Sequence, residues 1–171
     1  MTTANKLTFL RIALIPVFLL LLNLDFSGAN WWALGVVIAA SLTDTLDGYV
    51  ARRYNQITNM GKFMDPLADK MLVMAAMCWF VQNGQMTGWV LALVLLREFA
   101  VSGLRLVAVE QGRVIAAAWS GKVKTFVTMV CLGFMLGFNL GWLNLVCQIL
   151  ILIVTLYSGV EYCVKNRDVF R

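Results

Sequence analysis

Six long apolar runs, at roughly 7–24, 31–51, 62–83, 86–109, 119–138 and 141–164, take up most of this 171-residue chain. Each approaches or exceeds the ~20 residues that a helix needs to cross the hydrocarbon core of a bilayer. No water reaches backbone N–H and C=O groups there, so a spanning segment must satisfy them internally. The composition agrees: 61% of residues are hydrophobic and 13% charged, against about 25% charged in soluble domains. The expectation is an all-α integral membrane bundle of six transmembrane helices, with residues 1–171 forming one domain. Pro16 falls within the first run, where it should kink or loosen the helix.

Orientation follows from the 14 lysines and arginines. Lys6 and Arg11 lie near the N-terminus, and Arg52, Arg53, Lys62 and Lys70 surround the second link. Arg97, Arg105, Arg113, Lys122 and Lys124 cluster about the fourth link, while Lys165, Arg167 and Arg171 close the chain. The three opposite links, around 25–30, 83–88 and 139–141, contain neither residue type. The positive-inside rule then puts both termini and the charged links in the cytoplasm. Trp31, Trp32, Trp89 and Trp142 sit at the opposite ends, as an interfacial aromatic belt requires. A net charge of +5 reads as this basic rim, with no nucleic-acid partner. Ser27-Gly28-Ala29 after the first run resembles a leader cleavage site, but the run is read as a membrane helix. Cys78, Cys131, Cys147 and Cys163 lie in apolar runs without C-x-x-C spacing, and read as small buried hydrophobes rather than disulfides or metal ligands. The chain has no histidine, which excludes imidazole ligands, imidazole bases and Ser-His triads.

Within this lipid-adapted chain stand four aspartates in the pattern Asp44-x2-Asp47-Gly48-x2-Ala51-Arg52-x8-Gly61-x3-Asp65-x3-Asp69. One ionised carboxylate in a membrane helix costs roughly 2.5–3.5 kcal/mol, and four together also repel one another. Asp44 and Asp47 are three apart and Asp65 and Asp69 four apart, spacings that share one helix face. The second and third segments are antiparallel, so the carboxylates converge near the cytoplasmic surface. Oxygen donors without His or Cys favour Mg²⁺, Mn²⁺ or Ca²⁺. Four carboxylates carry enough charge for two such ions, the arrangement that clamps attacking and leaving oxygens in phosphoryl displacement. Gly48 and Gly61 let a nucleotide approach the backbone, and Arg52 lies one turn beyond Gly48 to pair with a phosphate. Gly61 is expected to precede the third helix and Pro66 to fall near its start, where N–H groups lack partners anyway.

This stretch resembles the signature of the CDP-alcohol phosphotransferases, matching at all eight positions. The resemblance implies a six-helix membrane enzyme with two divalent cations, Mg or Mn, held by Asp44, Asp47, Asp65 and Asp69. It implies that Asp69 deprotonates the acceptor alcohol, and that Asp47, Gly48, Ala51, Arg52 and Gly61 shape the CDP pocket. It also implies a homodimer; the Gly133, Gly137, Gly141 series is a packing face that fits one.

A second polar set bears on the acceptor. Arg97 and Glu98 interrupt the fourth segment, Arg105 follows two turns later, and Gly121-Lys122-Val-Lys124-Thr125 opens the fifth. Arg97, Arg105, Lys122 and Lys124 all belong to the cytoplasmic half and are expected to ring a pocket beside the metals. An anionic acceptor needs such a cradle; choline or ethanolamine does not. Together with Asn5-Lys-Leu7-Thr8-x2-Arg11 and the tail Glu161-Tyr162-x2-Lys165-x-Arg167-Asp168, this set resembles one bacterial branch of the family. That branch joins CDP-diacylglycerol to sn-glycerol 3-phosphate in the plasma membrane, releasing CMP. Thr8, Arg11, Arg97, Arg105, Lys122 and Lys124 are then the acceptor residues. Many relatives have Pro where this chain has Ala4, a change at the entry to the first helix. The competing readings are a cardiolipin-synthase-type member, with phosphatidylglycerol as acceptor, and a divalent-cation transporter. The transporter is disfavoured because the outer half offers no polar path across.

Overall fold

The computed structural model describes residues 3–24, 28–39, 59–112, 115 and 118–167, and all regular structure among them is helical, with no strand. Six helices follow in order: α1 (Thr3–Asn23), α2 (Ala29–Ala39), α3 (Asn59–Gln82), α4 (Gly88–Glu110), α5 (Trp119–Phe138) and α6 (Gly141–Lys165). The chain divides into two compact units, Met1–Trp79 and Phe80–Arg171.

In the first unit α1 runs unbroken through Pro16; the ring removes one hydrogen bond from a 21-residue helix. Asn23 Nδ2 donates to the Leu19 carbonyl at 2.7 Å, satisfying one acceptor that the helix end leaves open. The Gly28 carbonyl accepts from the Trp31 and Trp32 amides at 2.9 and 3.1 Å and so starts α2. α3 begins two residues before Gly61, so that Gly61 and Pro66 lie inside it rather than before it and at its start. The helix carries on because Pro66 removes one bond from a 24-residue element.

The second unit is built around α6, which packs against both α5 and α4. Its buried positions are Asn144, Cys147, Gln148, Ile151, Thr155, Ser158 and Tyr162, which apart from the adjacent Cys147 and Gln148 step by three and four and keep to one face. α5 is capped by Asn139, which takes the left-handed conformation (φ 43°, ψ 45°) and donates its amide to the Met135 carbonyl. Asparagine tolerates that region, and α6 begins two residues later. At the start of α4, Gln148 Oε1 accepts from the Thr87 amide at 2.9 Å and Gln148 Nε2 donates to the Gln85 carbonyl at 3.1 Å. Further along, Arg97 meets Ser158 and Arg105 meets Tyr162, at sequence separations of 61 and 57 against 61 for Thr87 and Gln148. Near-constant separation means that α4 and α6 run parallel in one register.

Only α5 and α6, among the described residues, are both long and apolar enough to cross a membrane by themselves. α4 is 23 residues long but carries Arg97, Glu98, Arg105 and Glu110. α3 carries Lys62, Asp65, Asp69 and Lys70. Of these charges, Asp65, Asp69, Arg97 and Arg105 are expected site residues. Trp89 and Trp142, at the starts of α4 and α6, are strongly exposed, as are Trp31 and Trp32 in α2. All four cysteines are free thiols; Cys131 and Cys147 are buried, whereas Cys78 and Cys163 lie on the surface.

Candidate functional site

The aspartate pattern is only partly covered. Asp44, Asp47, Gly48, Ala51 and Arg52 lie outside the described residues, and Gly61, Asp65 and Asp69 are backbone positions of α3. α3 is helical throughout 61–69, so the four-residue spacing of Asp65 and Asp69 does fall on continuous helix. Thr8 and Arg11 are likewise backbone positions, in α1. Four carboxylates without imidazole or thiolate partners are a donor set suited to hard divalent cations. Among the described residues no group of metal-binding side chains is assembled.

The cationic set is described atom by atom in the second unit. Glu98 is 7% exposed, and its Oε1 accepts from Arg97 Nη1 at 2.9 Å and from Lys124 Nζ at 2.7 Å. Lys124, 5% exposed on α5, is thereby tied to α4. Among the described residues, two cations share this one buried carboxylate. Such short charge-assisted bonds are roughly twice as strong as neutral ones. Arg97 is also fixed from α6: its Nε donates to Ser158 Oγ at 3.1 Å, and Ser158 Oγ donates to the Thr155 carbonyl at 3.2 Å. Backbone approach is close around it. A Cβ added at Gly159 would stand 3.2 Å from Arg97 Cγ, and one at Gly121 would stand 3.3 Å from Arg97 Nη2. Glycine makes room for the Arg97 stem at 159 and for its guanidinium at 121.

Arg105 is placed differently. Its side chain is exposed, with Nε donating to Tyr162 Oη at 3.0 Å and the guanidinium carbon 5.7 Å from the Tyr162 ring centre. Tyr162 is buried with Val101, Leu104 and Ala108. Lys122 is exposed on α5, 6.0 Å from the Trp119 ring. The four expected cations therefore fall into two kinds. Arg97 and Lys124 share a buried counterion, while Arg105 and Lys122 reach the surface against aromatic rings. Beside Arg97 an apolar groove of about 330 Å³ runs between α4 and α6, lined by Leu93, Leu96, Ala100, Leu156 and Val160, with Arg97 as its one charged residue.

Three residues of this constellation, Glu98, Ser158 and Tyr162, were not among the expected site residues. The signal for the last two is in the sequence: Thr155, Ser158 and Tyr162 recur at helical spacing along an otherwise apolar segment. Buried polar groups in such a helix need a partner.

Residues 1–157 match the sequence pattern of the CDP-alcohol phosphatidyltransferase family. The chain belongs to this family. A similar protein from Bacillus subtilis, named CDP-diacylglycerol–glycerol-3-phosphate 3-phosphatidyltransferase, is 38% identical over 98% of this chain and 96% of its own length. A probable phosphatidylglycerophosphate synthase of Mycobacterium tuberculosis is 38% identical over 97% of this chain and 82% of its own length. A Shigella flexneri protein that bears the same name as the Bacillus one is 37% identical, over 94% and 92%. The family match covers the aspartate signature, Arg97, Glu98, Arg105, Lys122 and Lys124, and stops one residue before Ser158.

Proposed function

We propose that this protein transfers the phosphatidyl group of CDP-diacylglycerol to sn-glycerol 3-phosphate, giving phosphatidylglycerophosphate and CMP in phospholipid synthesis. The observation that carries the reading is the pairing of family relatives named for this transfer, over nearly the whole chain, with a positively charged cluster buried in apolar helices. A cation in such a helix is costly, and an anionic acceptor is a reason to keep it. The apolar groove beside Arg97 suits a substrate whose tails stay in lipid while its head reaches the polar end.

The glycerol 3-phosphate C1 hydroxyl loses its proton to the Asp69 carboxylate and attacks the phosphorus that carries diacylglycerol. The phosphorus–oxygen bond to CMP breaks, and CMP leaves with the electron pair. Two divalent cations, Mg²⁺ or Mn²⁺, held by Asp44, Asp47, Asp65 and Asp69, would neutralise charge on the pyrophosphate. Asp47, Gly48, Ala51, Arg52 and Gly61 receive the CDP moiety, Arg52 by pairing with phosphate. Arg97, Arg105, Lys122 and Lys124, with Thr8 and Arg11, hold the acceptor. Catalysis is positioning and electrostatics, with no covalent intermediate.

The protein works as a single membrane domain of six spanning helices in the bacterial plasma membrane, with termini and active site cytoplasmic, as a homodimer. The deciding experiment is an acceptor screen with labelled CDP-diacylglycerol and purified protein. Label should pass to glycerol 3-phosphate, with CMP released only when Mg²⁺ or Mn²⁺ is present. Transfer to phosphatidylglycerol instead would assign the cardiolipin-type reaction. Release of no CMP with any acceptor, alongside metal flux into proteoliposomes, would overturn the enzyme reading.

A further inference from the structure

α6 supplies none of the carboxylates or cations assigned above, yet two of its hydroxyls meet the two arginines of α4. Ser158 Oγ takes Arg97 Nε at 3.1 Å and Tyr162 Oη takes Arg105 Nε at 3.0 Å. The two hydroxyl residues are four apart, one turn of helix, and are 0% and 2% exposed. Both lie past residue 157, where the family pattern stops.

The choice of nitrogen matters. Nε is the guanidinium atom nearest the stem, so a bond there sets the plane of the group while the two terminal amines point onward. Those amines are the fork that receives phosphate in bidentate fashion. At Arg105 the Tyr162 ring, 5.7 Å from the guanidinium carbon, adds a second constraint on the plane. At Arg97 the Gly159 backbone stands close to Cγ, Nη1 is bonded to Glu98, and Nη2 lies towards the bare backbone of Gly121. A Phe at 162 and an Ala at 158 would fill the same space without burying a hydroxyl, which costs free energy unless it is bonded. The hydroxyls therefore do something that packing alone does not require.

We infer that Ser158 and Tyr162 are positioning residues for the acceptor: Tyr162 fixes the guanidinium plane of Arg105 so that a phosphomonoester meets a preset cationic fork, and Ser158 fixes that of Arg97, whose Nη1 is held by Glu98 and whose Nη2 is the amine left for the phosphate. The inference rests on the proposal that these arginines bind glycerol 3-phosphate. Its consequence is selective. A fork held in place loses less freedom when the phosphate arrives, so the hydroxyls lower KM for the acceptor and leave the nucleotide-lipid side alone.

The test uses the full chain in lipid–detergent micelles, with KM for each substrate and kcat measured for Tyr162→Phe, Ser158→Ala, Arg105→Ala and the Arg105→Ala/Tyr162→Phe double variant. Tyr162→Phe and Ser158→Ala should each raise KM for glycerol 3-phosphate about three- to ten-fold, with KM for CDP-diacylglycerol and kcat little changed. In the Arg105→Ala background Tyr162→Phe should add nothing, because its effect passes through the arginine. Tyr162→Phe multiplying the Arg105→Ala defect, or lowering kcat with no selective change in KM, would show a structural role and overturn the inference while the acceptor reading stands. Arg105→Ala acting equally on both substrates would overturn the acceptor reading, and the inference with it.

Discussion

Replacing Glu98 by Gln tests how the cationic cluster is held. The carboxylate is 7% exposed and bonded to Arg97 and Lys124 at 2.9 and 2.7 Å. At an effective dielectric constant near 20, each contact has an attraction of about 6 kcal/mol. Much of that is offset by the desolvation of all three groups, so the net worth of the cluster is small. Removing the anion alone is a different matter, because two buried cations then lose the carboxylate that they share. Breaking a buried pair in this way costs about 3–5 kcal/mol, a large share of a stability of roughly 5–15 kcal/mol. For a chain of this size it corresponds to a fall in Tm of about 6–20 °C, measurable by thermal unfolding in detergent. The triple variant Arg97→Met, Glu98→Leu, Lys124→Met removes charge and counterion together, and should recover most of the lost stability. It should not recover turnover, since two of the cations proposed to hold the acceptor are gone. Glu98→Gln melting like the wild type, with unchanged KM for glycerol 3-phosphate, would refute the view that one carboxylate organises the cluster.

Asp44→Asn or Asp65→Asn should abolish turnover while the protein stays folded and inserted, because an amide is a poor ligand for a hard dication; turnover that survives verified metal removal by chelator would count against the metal reading. Asp69→Asn should reduce kcat by about 10²–10⁴-fold and more than Asp69→Glu does, and near-normal turnover of the Asn variant would remove Asp69 as the base. Arg52→Ala should raise KM for CDP-diacylglycerol more than that for glycerol 3-phosphate, the reverse of Arg105→Ala, as initial rates with each substrate varied would reveal. Gly159→Ala brings a methyl to 3.2 Å from Arg97 Cγ, and should raise KM for glycerol 3-phosphate without lowering Tm by more than a few degrees; an unchanged KM would mean that Arg97 has room to shift.

Helix bounds in the second unit were legible because apolar runs end at strong punctuation. The fifth run, expected over 119–138, is α5 to the residue, closed by Asn139 in a left-handed turn. The third was displaced: Gly61 and Pro66 read as a helix start, but α3 begins at Asn59, since one lost bond does not end a long helix. Arg97 and Arg105 stood out as cations within an apolar run, and Lys124 as one of two opening the next. Their division into a buried pair and an exposed arginine did not, because it depends on which side chains α6 brings across. Sequence spacing places Glu98 next to Arg97, but only packing puts Lys124, 26 residues on, against the same oxygen.

The long separations between these partners bear on how the chain is made. A ribosome delivers α4 with Arg97, Glu98 and Arg105 already in it, before any of the groups that complete their pairing exist. Lys124 follows Glu98 by 26 residues, and Ser158 and Tyr162 follow their arginines by 61 and 57. Until then α4 is a poor membrane segment, whereas α5 and α6 are apolar enough to insert as a hairpin joined by two residues. A later helix thus holds an earlier one in place, and, on the proposed six-span topology, a chain cut short after α5 should leave α4 loosely inserted and open to membrane quality-control proteases.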